Sequence, residues 1–277
     1  MQSFENDPAL DRVKVIACDM DLTLLHDDKS MPEGMVERIT ALADAGVVFA
    51  PASGRPAATL SMMFPGCEGV CGIIADNGGM VEYAGKTVYK SLMDPALYQE
   101  ILARAVEVGG CAPVLCALHE AYVLARDYDQ HEALSIYYKT INYVDTFEGL
   151  DVEADKVSLL FPNWDSKAAY DKIWAPEFGD RLYVTCAGND WVDFMNKGVS
   201  KGTGLAHLCE HLGVDIADAA ALGDTYNDIE MLKVAGHSCL VANAEEHMQQ
   251  YASWQLPSNN DDGVPAYLDA VLAAKRG

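Results

Sequence analysis

Two carboxylates two residues apart, Asp19 and Asp21, follow the run Val13-Lys14-Val15-Ile16-Ala17-Cys18, which is apolar at almost every position. A short, continuous apolar run rich in β-branched residues reads as a strand buried on both faces, as in a parallel sheet. Open α/β sheets place ligands at the carboxyl ends of such strands. Acids beside a packed core must be paired or bind a cation. Taken by itself, the segment is also open to a plainer reading, a solvated turn in which one acid caps a helix. A second acidic group stands in Gly223-Asp224-Thr225-Tyr226-Asn227-Asp228, after the small-residue strand Ala219-Ala220-Ala221-Leu222 and before a helix. Two acids and an amide there suit a hard cation such as Mg²⁺, which takes a few carboxylates plus water and phosphate oxygens. Helix capping accounts for Asp228 but leaves Asp224 and Asn227 unexplained.

Ser53 and Gly54 end another strand and precede a helix. A hydroxyl followed by helix-start N–H groups can cradle a phosphate, although a simple N-cap explains Ser53 alone. Arg55 adds a cation that a cap does not require. Lys201 opens a helix, where its charge opposes the macrodipole, so it is a candidate anion ligand.

The elements that must position these residues alternate. Val13–Cys18 is followed by a loop or flap to Ser30, then by a helix opened by Pro32, with Met35, Ile39 and Leu42 on its apolar face. Strands are expected at 47–52, where Pro51 introduces a local bulge, and at 71–75, ending at Asp76-Asn77-Gly78-Gly79. This order implies a parallel sheet with right-handed crossovers. From residue 80 the pattern changes to a hairpin, a helix over 95–108 opened by Asp94-Pro95, paired strands at 112–119 and 121–125, a helix near 132–140, a strand at 156–161, a helix after Ser166 and a strand at 181–186. The alternation resumes with a helix over 201–212, the strand 219–222, a helix over 227–234, a strand at 238–241 and helices over 245–252 and 263–274. The expected organisation is a core of residues 1–83 and 190–277, interrupted by an α+β insert at 84–189.

The chain has 277 residues, half of them hydrophobic, with 42 acidic against 19 basic residues and a formal net charge of −23. That charge repels nucleic-acid phosphates and anionic membranes, which excludes both as primary partners. Any phosphate site therefore needs local cations. The polar, acidic start has no signal-peptide pattern, and no apolar stretch approaches a membrane span. Eight scattered cysteines, several inside apolar runs, fit a reduced cytoplasmic protein. A monomer or a homodimer is compatible with all of this. His207, Cys209 and His211 do not form a zinc pattern, since only the two histidines share a helical face. The pair Tyr137-Tyr138 and the four tryptophans read as core.

Asp19-x-Asp21-x-Thr23, Ser53-Gly54-Arg55, Lys201-Gly202 and Gly223-Asp224-x-x-Asn227-Asp228 resemble, in order and in strand-end context, the four motifs of the haloacid dehalogenase (HAD) superfamily. Asn77-Gly78-Gly79, Ser200-Lys201-Gly202, the run to Met231 and Asn243-Ala244 are similar to its Cof-type subgroup with a C2-type cap. One departure is Ser53, where Thr is common; both supply the hydroxyl. The resemblance implies an α/β fold, a Rossmann-like parallel-sheet core with an inserted α+β cap, and a Mg²⁺-dependent phosphatase for small phosphorylated metabolites such as sugar phosphates, nucleotides or cofactor phosphates. It implies that Asp19 is the nucleophile and that Asp21 is the general acid and base. Mg²⁺ is held by Asp19, the carbonyl of Asp21 and Asp224, with Asp228 nearby. Ser53, Gly54, Lys201 and Asn227 bind phosphate, and Lys201 is counted with the catalytic set. A sugar phosphomutase and a non-catalytic metabolite-binding regulator remain open as alternatives.

Overall fold

A computed structural model describes residues 1–163, 165–187 (apart from the side chain at 187) and 189–277. Trp164, one of the four tryptophans, and Gly188, next to the expected insert boundary, lie outside the described residues. The chain forms two compact units. One comprises Met1–Ser53, Leu60–Tyr89 and Ser200–Gly277; the other comprises Gly54–Thr59 and Lys90–Val199.

The first unit is built on a six-stranded, wholly parallel sheet in the order Gln2–Ser3, Trp254–Leu256, His237–Val241, Ala219–Gly223, Val15–Cys18, Val48–Pro51. Val15–Cys18 and Ala219–Gly223 are buried at every position, as continuous apolar runs between helical layers require. Val15, Ala17, Ala50, Ala219 and Ala221 join one apolar cluster with Leu205 and Leu208 of the helix Lys201–Leu212. Gly202 lets that helix approach the next closely, since a Cβ there would meet the backbone of Glu230 at 2.6 Å.

Several details differ from the sequence expectation. Pro32 does not open a helix. Gly34, at φ +72°, takes the N-cap position, and the helix runs over Met35–Asp44. Pro51 introduces no bulge, because the register from Val15↔Val48 to Cys18↔Pro51 is unbroken and proline is tolerated as the last residue of a strand on the sheet edge. Gly72–Ala75 meets its parallel neighbour through a single bridge, Ala52↔Ile74, and its ladder is instead an antiparallel one with Met80–Tyr83. Residues 246–251 form a 3-10 helix rather than an α-helix. The strands Gln2–Ser3 and Trp254–Leu256, too short to carry a periodicity, were not expected.

The second unit holds a six-stranded sheet in the order Leu182–Ala187, Trp191–Asn196, Ala154–Leu160, Ala112–Ala117, Ala121–Leu124, Ile141–Val144, antiparallel except for the last pair. The strand Trp191–Asn196 was not expected. Helix Pro95–Val108 covers one face, capped by Asp94, whose side chain accepts from the N–H of Ala96. Leu134 and Tyr138 pack on the other face with Val114, Cys116 and Trp191. On the strands of this sheet Lys156, Ser158 and Asp193 are buried. Among the described residues no helix is long and apolar enough to cross a membrane, and all eight cysteines are free thiols.

Candidate active site

Polar residues stand at or just beyond the ends of four strands of the first unit. Asp19 follows Cys18, Ser53 lies two residues beyond Pro51, Asp76 follows Ala75 and Asp224 follows Gly223. Lys201 is the first residue of its helix, where a capping box between Ser200 and Thr203 offsets the misplaced charge. Its side chain is fully buried and donates from Nζ to Asp19 Oδ1 at 2.5 Å and to Asp228 Oδ1 at 2.7 Å. The other oxygen of Asp228 accepts from the N–H groups of Asp224 (2.9 Å) and Thr225 (3.1 Å). Thr23 donates from Oγ1 to Asp224 Oδ1 at 2.9 Å.

Ligand atoms of Asp19, Asp224 and Asp228, all buried, lie within 4.8 Å of one another. Three carboxylates against one ammonium leave two negative charges out of water. Like charges about 4 Å apart repel by roughly 4 kcal/mol at an effective dielectric of 20. The titration shifts record this strain. Burial pushes the carboxyl of Asp19 up to about 6, against the pull of Lys201 and with the repulsion of Asp228. Burial, then the charges of Asp19 and Asp228, raises Asp224 well above the carboxylate range despite the bond from Thr23. Burial works to strip the proton from Lys201, but its two carboxylates outweigh that and hold it protonated beyond the ordinary lysine range. A buried all-oxygen donor set with excess negative charge fits a hard divalent cation.

Asp21 is half-buried, and Lys29 donates to its Oδ1 at 2.9 Å from the following loop. Asn227 donates from Nδ2 to Asn77 Oδ1 at 3.1 Å. Ser53 is buried; its N–H donates to Ile74 O and its carbonyl accepts from the N–H of Asn77, each at 2.9 Å. Asp76, Asn77 and Gly78 hold successive positive φ values of +48°, +54° and +96°, a conformation that costs a side-chain-bearing residue on the order of 1–2 kcal/mol.

The structure thus brings Asp19, Lys201, Asp224 and Asp228 into direct contact and ties Ser53 to Asn227 through Asn77. Gly54 falls with the second unit, where its carbonyl accepts from Lys156 Nζ at 2.5 Å. Arg55, the cation next to Ser53 and Gly54, also falls with the second unit. Its guanidinium lies over the Tyr137 ring, 5.0 Å from the centroid, and donates to Ile136 O at 3.3 Å. Sequence reasoning gave no role to Thr23, Lys29 or Asn77. Of these, Thr23 stood in the quoted motif Asp19-x-Asp21-x-Thr23 without a role of its own, and Asn77-Gly78-Gly79 carried a turn composition that favours positive φ.

The sequence profile of the haloacid dehalogenase-like hydrolases matches residues 16–268. The chain is 30% identical over 267 residues to the 5-amino-6-(5-phospho-D-ribitylamino)uracil phosphatase YbjI of Escherichia coli, covering 94% of this chain and 96% of that one. It is 26% identical to the phosphatase of the same substrate name, YitU, from Bacillus subtilis, with 92% and 96% covered. Among solved structures, SMU.1108c from Streptococcus mutans superposes with a TM-score of 0.86 at 27% identity, covering 94% of this chain and 99% of that one.

Proposed function

The chain belongs to the haloacid dehalogenase-like hydrolases, and from that premise we propose that it hydrolyses small phosphate monoesters through an aspartyl phosphate formed on Asp19. The observation that carries the reading is the buried contact of Lys201 with Asp19 and Asp228 beside Asp224. Lys201 fixes one oxygen of Asp19, which orients the carboxylate for attack. Asp19 forms a bond to phosphorus as the ester P–O bond breaks. Asp21 gives its proton to the leaving alkoxide, which departs as the alcohol. Asp21 then takes a proton from a water whose oxygen bonds to phosphorus, and the Asp19–phosphorus bond breaks to release inorganic phosphate. Ser53, Lys201 and Asn227 hold the phosphoryl oxygens.

Asp19, Asp224 and the carbonyl of Asp21, with Asp228 behind them, would hold Mg²⁺. When bound it neutralises the carboxylates against the phosphate dianion and stabilises transition-state charge. The second unit, read as the cap, sets which ester is accepted. The free thiols support a cytoplasmic location. The leading substrate is 5-amino-6-(5-phospho-D-ribitylamino)uracil, because three relatives at 23–30% identity carry that activity in their names.

Phosphate release from a panel of sugar phosphates, nucleotides and that compound, with and without chelator, tests the proposal. The expected result is turnover that chelation abolishes and Mg²⁺ restores, with the ribitylaminouracil ester among the fastest. Undiminished turnover after exhaustive chelation sinks the metal assignment, and absence of release from every ester sinks the reaction.

A further inference from the structure

We infer that Asn77 is a positioning residue for phosphoryl recognition, acting through the side chain of Asn227 and the backbone of Ser53. The inference rests on the reading that Ser53, Lys201 and Asn227 hold the phosphoryl oxygens. Those three residues come from distant stretches of the chain, and one buried turn abuts all three stretches. The N–H of Asn77 donates to Ser53 O at 2.9 Å, and its Oδ1 accepts from Asn227 Nδ2 at 3.1 Å. A Cβ on Gly78 would strike the carbonyl oxygen of Ser200, the residue before Lys201, and would lie 3.3 Å from Gly204 N.

The turn joins the antiparallel strands Gly72–Ala75 and Met80–Tyr83. Here Asp76 and Asn77 both carry side chains at positive φ, with Asp76 fully buried and Asn77 1% exposed. Strain of this kind persists where surrounding contacts over-determine it, and it collects at functional sites. The amide nitrogen of Asn227 has two hydrogens. The bond to Asn77 takes one and fixes the plane in which the other points, leaving that one for a phosphoryl oxygen. The carboxylates of Asp19, Asp224 and Asp228 are fixed by other means, namely Lys201, Thr23 and the backbone amides of 224 and 225. Loss of the Asn77 side chain therefore acts on phosphate and spares the cation.

The test uses the full-length chain loaded with Mg²⁺ and orthovanadate as the probe. Asn77→Gly removes the side chain without penalising the left-handed backbone. It should weaken vanadate inhibition by about 10-fold, the scale of one neutral hydrogen bond. Mg²⁺ affinity measured by calorimetry should stay within about twofold, because the carboxylates are untouched. In an Asn227→Ala background the same substitution should change vanadate inhibition by less than about twofold, since the partner through which it acts is gone. If Asn77→Gly costs as much in that background as in the parent, or leaves vanadate inhibition unchanged, the positioning role is overturned. If Asn227→Ala alone leaves inhibition unchanged, the assignment of Asn227 to phosphate fails, and the inference falls with it. Should Asn77→Gly not fold, Asn77→Ser, whose hydroxyl is too short to replace the amide, carries the same cycle.

Discussion

Among the described residues two lysines are buried, one in each unit, and they are held in opposite ways. Lys201 in the first unit lies beyond the strand ends, bonded to two carboxylates with a third alongside. Lys156 in the second unit lies mid-strand in Ala154–Leu160. It donates to the carbonyl of Gly54, and Asp193 stands off at 4.0 Å while accepting from Ser158 Oγ at 2.6 Å. The pair of Lys156 and Asp193 nets to zero, whereas Lys201 faces three carboxylates, two of which burial and mutual repulsion push towards the protonated form. Buried charge that is balanced on the spot holds a structure together; buried charge left in excess calls for a ligand. The partners of a buried cation, more than its burial, separate a reaction centre from an internal strut.

The strongest way to break this comparison is to remove each ammonium in turn. Lys201→Met should lower turnover by ~10³-fold or more, the scale of losing a preorganised charge at the transition state. Lys156→Met should act on stability instead, costing about 3 kcal/mol by leaving Asp193 buried without its cation, seen as a lower urea midpoint. Enzyme that remains folded should keep its kcat within a few-fold. A Lys156→Met protein of parental stability with turnover as poor as that of Lys201→Met would reverse the two assignments.

Asp21 sharpens the comparison from outside both clusters, because its side chain is half-exposed and paired to Lys29. Asp21→Asn should slow turnover by at least ~10²-fold, the contribution of a general acid and base. With an aryl phosphate, whose leaving group needs little protonation, phosphate should accumulate on Asp19. Intact-protein mass spectrometry after rapid quenching would show the added mass, and Asp19→Asn should remove it.

The smallest effect concerns pH. In the metal-free folded chain Asp19 keeps its proton to about pH 6, whereas an ordinary aspartate releases it near 3.8. Folding takes up a proton between those values, so the stability this group lends is present at low pH and lost as the pH rises through about 6. Asp224 shifts in the same direction. A cation on the ionised carboxylates offsets that loss. Mg²⁺ should therefore raise the melting temperature by about 3 °C, roughly 1 kcal/mol, at pH 7.5, and by less at pH 5. Equal shifts at both pH values would show that these carboxylates are not what the ion meets.

The two units were not equally legible in the sequence. Val15–Cys18 and Ala219–Gly223 are buried on both faces, so they appear as unbroken apolar runs ending in acids, and the motif residues follow at once. Trp191–Asn196 carries Asp193 mid-strand after the polar Asn189-Asp190, and this hid a strand buried at five of its six positions. Lys156 follows Asp155 at the start of its strand, a charged pair that would be expected at the surface, yet it is 1% exposed. Thr23, Lys29 and Asn77 meet partners chosen by the fold, 201 positions away for Thr23 and 150 for the side chain of Asn77. No periodicity or spacing announces such partners. Arg55 shows the reverse case, a cation beside a phosphate motif whose charge is placed over a tyrosine ring.

The way the chain is threaded also sets an order of assembly during synthesis. Val15 pairs with Val48 on one side but with Ala219 on the other, so a central strand of the parallel sheet leaves the ribosome about two hundred residues before its second neighbour. At ~5–20 residues per second that delay is roughly 10–40 s. All strands of the second unit's sheet, by contrast, lie between residues 112 and 196 and find their partners within that interval. The interrupting unit can therefore complete its sheet first, while the apolar run that carries Asp19 is still waiting for the strand that carries Asp224. During that wait the unpaired edge of the Val15–Cys18 strand is the kind of transiently exposed apolar surface that favours aggregation.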